Sequence, residues 1–477
     1  MKKEKRVLGE IEPKSVFGYF EDICAIPHGS GNTKQISDWC VAFAKKHNLY
    51  YYQDEKNNVI IRKPATAGYE MHPTVIIQGH LDMVCEKDVE CNIDFGKDGL
   101  DIYLQDGMIS ARGTTLGGDD GIAVAMALSI LADDTLSHPE IEALFTVDEE
   151  TGMYGAEFLD ASLLNGKLLL NIDSEAEGVL TAGCAGGARA DIKLPLETAG
   201  ASGEAFEITL FDFLGGHSGT EIAKSIYNPN IIMGSFLRLL DGKWYLADIK
   251  GGLKDNAIPV MCECVIYSEQ KAVESAREKF EAEYGKQLGK DFNIKIEKLY
   301  ETQNKAFSFE TSKRAAELLG AVPNGVIEMS GDIEGLVQTS LNLGVLKTEN
   351  GKMRLTFAVR SSVSQSKAEL IERLQNVSDE FGCEFSSFGH YPAWEYKKDS
   401  VLREKMVSVY EGMFDKKPMV DVIHAGLECG LFCEKISGLD AVSFGPDLFD
   451  IHTTRERMSV ESVRRTYEFL CQILKEL

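Results

Sequence analysis
The sequence predicts an α/β protein, a sheet covered by helices on both faces, with an α+β domain inserted into it. Three observations lead there. Up to residue 187, segments of helical and of strand periodicity alternate, the pattern of an α/β sheet. From Ala188 to Trp394, longer strands of alternating polarity are interleaved with charged helices. From about 395 the first texture returns, so residues 1–187 and 395–477 form one domain and 188–394 the insertion.

Lys14–Ala25 and Asn32–Asn48 read as helices, the second with Ile36, Trp39, Cys40, Phe43 and Ala44 on one face. Asn58–Arg62 and Thr74–Gln78 are β-branched runs, hence strands. The Gly-rich stretch ARGTTLGGDDG leads into Ile122–Leu131, small and apolar throughout, a buried helix. Ile141–Val147 and Leu168–Ile172 are further apolar strands. In the insertion, Phe206–Phe211, Met261–Ser268 and Arg354–Arg360 read as strands, Glu269–Leu288 and Ser366–Glu380 as helices. Helix Leu402–Phe414, strand Ala441–Phe444 and an amphipathic helix from Ser459 to Leu477 complete the chain. Ser459 is its predicted N-cap, with Glu461 in the favourable first turn.

The 477 residues carry 50 basic and 75 acidic side chains, a formal charge of −25. That balance argues against nucleic acid and against an anionic membrane as partners, since both select a basic face. The N-terminus has a basic start without the apolar run of a signal peptide, and no stretch has the length of a membrane span. The 11 cysteines are scattered without a CxxC pair. They read as reduced core thiols of a cytoplasmic protein, Cys429 and Cys433 included, although those two lie one helical turn apart.

Four predicted strands or turns end in residues that can hold a metal. Thr74–Gln78 runs into Gly79-His80-Leu81-Asp82, and the Gly-rich turn delivers Asp119-Asp120. Ile141–Val147 runs into Asp148-Glu149-Glu150, and Leu168–Ile172 into Asp173. Each alone reads as a turn acid or a helix cap. Together they read as a site, because ligands bind at the carboxyl ends of strands in open α/β sheets. Imidazole with carboxylate suits Zn²⁺, and also Mn²⁺ or Co²⁺. His28, His47, His72, His138 and His390 have no carboxylate motif beside them, and most of them read as ordinary surface residues. No GxSxG elbow, Walker loop or HExxH helix offers a competing chemistry.

The segments GHLDMV, GGDDGIAVAMAL, DEETGMYGA and NIDSE resemble the successive metal-site motifs of the M20 metallopeptidases, in its aminoacyl-histidine dipeptidase branch. The resemblance continues through GGHSG, NAIP, AVRSS, HAGLECG and SFGPDLFDIHTTRERMS, and so spans nearly the whole chain. It implies a zinc-peptidase-like catalytic domain, with a mixed, mostly parallel sheet, and an inserted lid. It implies two divalent ions, most simply zinc. His80 and Asp173 would hold one, Glu150 and His452 the other, and Asp119 both, with a cis bond between Asp119 and Asp120.

By the same resemblance Glu149 is the general base, and attack comes from a hydroxide bridging the metals. Asp82, two residues after His80, would accept the far ring N–H of that histidine. His217 would support the oxyanion, and Asn256, Arg360 and Gly426 would hold the substrate's carboxylate, while His424 orders its loop. The implied reaction is hydrolysis of dipeptides, Xaa-His types among them. An aminotripeptidase or an N-acyl amino acid deacylase shares the same metal motifs and is the alternative. Homodimerisation through the lid, or a site completed within one chain, are both open to such an enzyme.

Overall fold
A computed structural model describes residues 6–224, 227–300 and 305–477; the first five residues of the basic start lie outside them. The described residues divide into two compact units. One comprises those up to Gly183, Tyr396–Val422 and Leu427–Leu477, the other those of Cys184–Glu395 with Ile423–Gly426.

In the first unit an eight-stranded sheet has the order Tyr50–Gln53, Val59–Lys63, Ile141–Thr146, Val75–His80, Leu168–Asn171, Asp440–Ser443, Val179–Cys184, Met419–Ile423. The four central strands from Ile141–Thr146 to Asp440–Ser443 pair parallel, whereas Tyr50–Gln53 and Val59–Lys63 pair antiparallel, as do Asp440–Ser443 and Val179–Cys184. Every residue of Ile141–Thr146 and Val75–His80 is buried, as parallel strands covered on both faces require. The helix Gly118–Ala132 is buried from Gly121 to Leu131, matching its all-apolar sequence. The last helix, Val460–Glu476, starts where Ser459 accepts the Ser462 N–H at 3.3 Å, and it buries Val463, Thr466, Phe469, Leu470, Ile473 and Leu474 along one stripe.

A small antiparallel sheet joins Ile102–Gln105, Met108–Ala111, Arg457–Ser459 and Leu448–Phe449. Its two-residue pairing of Leu448–Phe449 with Arg457–Ser459 closes the loop that carries His452.

The second unit is built on a nine-stranded sheet whose described pairings are all antiparallel. The charged helices Gln270–Tyr284 and Ser364–Glu380 bury Val273, Ala276 and Phe280, and Leu370 and Leu374, at helical spacing. Two further helices, Pro229–Arg238 and Phe309–Ala321, are absent from the sequence reading. Their start signals are there to be read: Asn228 accepts the Asn230 N–H ahead of Pro229, and Ser308 accepts the Thr311 N–H.

Candidate metal centre
The ladder of the central strands sets the site. Gln78 lies opposite Asn171 and His80 opposite Thr146, so His80, Asp173 and the segment after Thr146 leave the sheet at one end. Two triads of ligand atoms result, each within 4.8 Å: His80, Asp119 and Asp173 in one, Asp119, Glu150 and His452 in the other. Asp119 belongs to both. Its Oδ1 lies 3.0 Å from His80 Nε2, and its Oδ2 3.1 Å from His452 Nε2. Glu150 Oε1 is 2.9 Å from His452 Nε2, and Asp173 Oδ1 is 3.6 Å from His80 Nε2. Glu149 groups with His80 and Glu150. The donor set, two imidazoles among carboxylates, fits a pair of borderline or hard divalent cations.

The turn that presents Asp119 is held from below. The Asp119–Asp120 bond is cis. The buried Asp120 carboxylate accepts the His80 N–H at 3.1 Å, and Gly79 makes room for it, since a Cβ there would lie 2.5 Å from Asp120 Oδ2. Asp120 had only its adjacency to Asp119 to recommend it in the sequence.

Asp82 differs from expectation. The His80 Nδ1–H donates to the backbone carbonyl of Asp82 at 3.0 Å, and the carboxylate Oδ1 stands back at 3.6 Å. That carboxylate instead accepts the Ser30 hydroxyl at 2.7 Å and the Glu149 and Glu150 N–H groups at 3.1 and 3.4 Å. Extended geometry puts Asp82 and His80 on one side, but the bend at Leu81 brings the nearer acceptor, the main chain, to the ring.

Electrostatics follow from burial and neighbours. Burial opposes the charge of Asp119, but hydrogen bonds from His452 and His80 outweigh it and hold its carboxyl below the usual range. Bonds to Asp119 and Glu150 push the His452 imidazole up to about 10, so ion uptake there displaces a proton. Burial, then the charges of Asp173, Glu428 and Glu150, push Glu149 well above the carboxylate range against the pull of His80.

A polar layer lies one step deeper in the sheet. Asn171 donates to Gln78, and Gln78 Nε2 and Thr146 Oγ1 both donate to Glu428 Oε2, at 2.6 and 2.7 Å. Glu428 is fully buried and its Oε1 has no partner. Burial, with Asp173 and Asp82 adding to it, pushes its carboxyl up to about 8. It stands in the HAGLECG segment, where its apolar neighbours are the signal of burial.

The folded protein thus keeps a proton that the unfolded chain loses above ~4.3, and wild-type stability falls as pH rises from there to about 8. Glu428→Gln cannot ionise. In thermal melts under chelation it should match wild type near pH 5 and exceed it by roughly 3–5 kcal/mol at pH 9. A difference independent of pH would refute the assignment.

The other sequence-predicted residues lie in the second unit. Gly216–His217 pairs with Ala257–Ile258, which sets His217 beside the Asn256 turn; the Ser218 N–H donates to the Asn256 carbonyl at 2.9 Å. Gly219 and Thr220 N–H groups donate to His217 Nδ1, each at 3.4 Å, so the ring proton sits on Nε2. Burial and then Arg360 lower the His217 pKa, keeping the ring neutral. Arg360 Nη1 donates to the Tyr391 hydroxyl at 2.9 Å, and Arg360 lies opposite Ser340, whose hydroxyl is 2.7 Å from His424 Nε2. Gly426 follows two residues after the buried His424.

Of the remaining histidines, His28 and His138 are buried rather than on the surface, with Nδ1 2.6 Å from the carbonyls of Ile26 and Pro139. A local main-chain acceptor takes the Nδ1 side of each ring, while His138 Nε2 is buried without a partner. Cys429 and Cys433 share the helix Glu428–Lys435 and join none of the metal-competent groups among the described residues. No helix among those residues is long and apolar enough to cross a membrane.

A sequence description of peptidase family M20/M25/M40 matches residues 76–476. The chain belongs to that family. A relative within it, the cytosol non-specific dipeptidase of Escherichia coli strain K12, is 35% identical, the match covering 98% of this chain and 99% of the relative. The crystal structure of the aminoacylhistidine dipeptidase of Vibrio alginolyticus superposes with a TM-score of 0.92 at 33% identity, covering 100% of this chain and 99% of that one. A tripeptidase from Staphylococcus aureus shares the fold at 16% identity, with a TM-score of 0.60 over 98% of this chain and 99% of its own. The chain therefore has the M20 fold and is a metal-dependent peptide hydrolase, with metal-competent residues assembled at the ends of its central strands.

Proposed function
We propose that the chain is a dinuclear metallodipeptidase that cleaves the single peptide bond of dipeptides, Xaa-His types included, in the cytoplasm. The observation that carries this reading is the pair of triads sharing Asp119, with the half-buried Glu149 beside them. His80 and Asp173 would hold one ion, Glu150 and His452 the other, and Asp119 both; zinc fits this donor set, as do manganese and cobalt. A bound pair of such ions supplies Lewis acidity and activates water near neutral pH.

The protein's own groups do the rest. Glu149 takes a proton from the attacking water and returns it to the leaving amine. Asp82 holds the main chain of Glu149 and Glu150 in place through their N–H groups. From the second unit, read as the inserted lid, the Nε2–H of His217 supports the developing oxyanion. Arg360 and Asn256, with the N–H of Gly426, hold the free carboxylate of the substrate; a guanidinium binds it as a planar fork. A carboxylate held there measures the substrate's length. Support for dipeptides comes from the near full-length match to two dipeptidases. For the cytoplasm it comes from the first being a cytosol dipeptidase, and from 11 cysteines of which none is in a disulfide.

A substrate panel tests the length rule. β-Alanyl-histidine and ordinary dipeptides should be cleaved with kcat/KM at least about tenfold above matched tripeptides, whose carboxylate stands one residue further from the scissile bond and leaves its charged partner unpaired. Tripeptides cleaved faster than dipeptides would overturn the proposal in favour of an aminotripeptidase.

A further inference from the structure
Glu456 is a buried carboxylate in the loop of His452, four residues beyond it. Its Oε2 accepts the N–H groups of Leu116 and Gly117 at 2.7 and 3.2 Å, and its Oε1 accepts that of Gly118 at 2.8 Å. Asp119 is the next residue. Gly117 has φ of 68°, the left-handed backbone that lets successive N–H groups converge on one anion. The seat is tight, because a Cβ on Gly117 would lie 2.9 Å from Met83 Sδ and one on Gly118 3.2 Å from Glu456 Oε1.

The predicted ligands are not equally restrained. His80 stands on a central parallel strand and Asp173 lies two residues beyond the end of its neighbour. Glu150 has its N–H held by Asp82, and the Asp119–Asp120 step is tied to His80 through the Asp120 carboxylate. His452 sits in a loop closed by a two-residue pairing, with φ of 60° and its side chain 45% exposed, against 1% for His80. The three bonds of Glu456 join that loop to the turn that presents Asp119.

We infer that Glu456 is a positioning residue for the second cation: it fixes His452 against Asp119 at the spacing one ion must span. The inference rests on the dinuclear reading above. It predicts a selective defect, because Asp119 keeps its independent tie to His80 when Glu456 is changed, whereas the loop of His452 loses its three bonds to the Asp119 turn.

The test is calorimetric titration of metal-free protein with Co²⁺ alone, alongside circular dichroism of each metal-free variant. Wild type should take up two ions. Glu456→Gln turns an amide N–H toward backbone N–H donors. It should bind the first ion within about threefold of wild type and the second about 10–100-fold more weakly, the range for lost support of a ligand. Glu456→Asp keeps an acceptor-only group one methylene shorter, and should recover part of the second affinity. Two ions bound by Glu456→Gln at wild-type affinity, or both weakened alike, overturn the inference. Should the Gln variant not fold, the same comparison on Glu456→Asp decides it. Fewer than two ions on wild type itself would sink the dinuclear reading, and this inference with it.

Discussion

Glu149→Ala should lower kcat by roughly 10²–10⁴-fold and leave both ions bound. The residue next to it, Glu150, belongs to the triad with Asp119 and His452, whereas Glu149 lies outside both triads that share Asp119. A group that moves a proton only as the transition state forms contributes to kcat rather than to ground-state binding, so KM should change little.

The fold should survive the substitution. The pKa of Glu149 is raised, so its ionisation disfavours the folded state increasingly as pH rises from the unfolded value near ~4.3. Deleting the carboxyl therefore does not weaken the metal-free protein at neutral pH through charge. Steady-state kinetics with metal analysis of the purified variant settle the matter. Activity within about tenfold of wild type, or loss of an ion, would show that Glu149 is not the base.

Asp119→Asn should strip affinity from both ions, which no other single substitution at the site is expected to do. One carboxylate faces both histidines, Oδ1 to His80 and Oδ2 to His452. At an effective dielectric near 20 and ~4 Å, losing one unit charge removes on the order of 4 kcal/mol for each unit of cation charge, so each divalent ion should lose at least about a thousandfold in affinity.

The metal-free fold should weaken as well. The Asp119 pKa is depressed, so its charge stabilises the fold above the ordinary ~3.9, and that stability is lost as pH falls below it. Equilibrium dialysis should find less than one ion retained under conditions that saturate wild type. Retention of one ion at full affinity would restrict Asp119 to a single cation.

Much of this centre is legible in the sequence. His80, Asp173 and the Glu149–Glu150 pair each follow a run of apolar β-branched or aliphatic residues. A parallel strand buried on both faces leaves polar residues only at its ends. The supporting groups are not legible in that way. Glu428 meets Gln78 across 350 positions, and Glu456 meets Leu116 across 340. A buried acid far along the chain from its partners looks the same in sequence as a solvated one. The same holds for His28 and His138, whose partners are carbonyl oxygens that every residue possesses. Asp82 shows a subtler limit: spacing put it on the right side of His80, but a main-chain oxygen lies nearer the ring than its carboxylate does.

The acidic surplus divides along this line. Sequence alone determined which carboxylates follow strands, that histidine accompanies them, and that an α+β segment interrupts an α/β one, because periodicity and polarity are local properties of the chain. Tertiary structure alone decided which acids are buried, and hence that Asp120, Glu428 and Glu456 support the centre while most of the other acids stay on the surface. Burial is set by what packs on a residue from elsewhere in the fold, and it is burial that turns a carboxylate into an anchor.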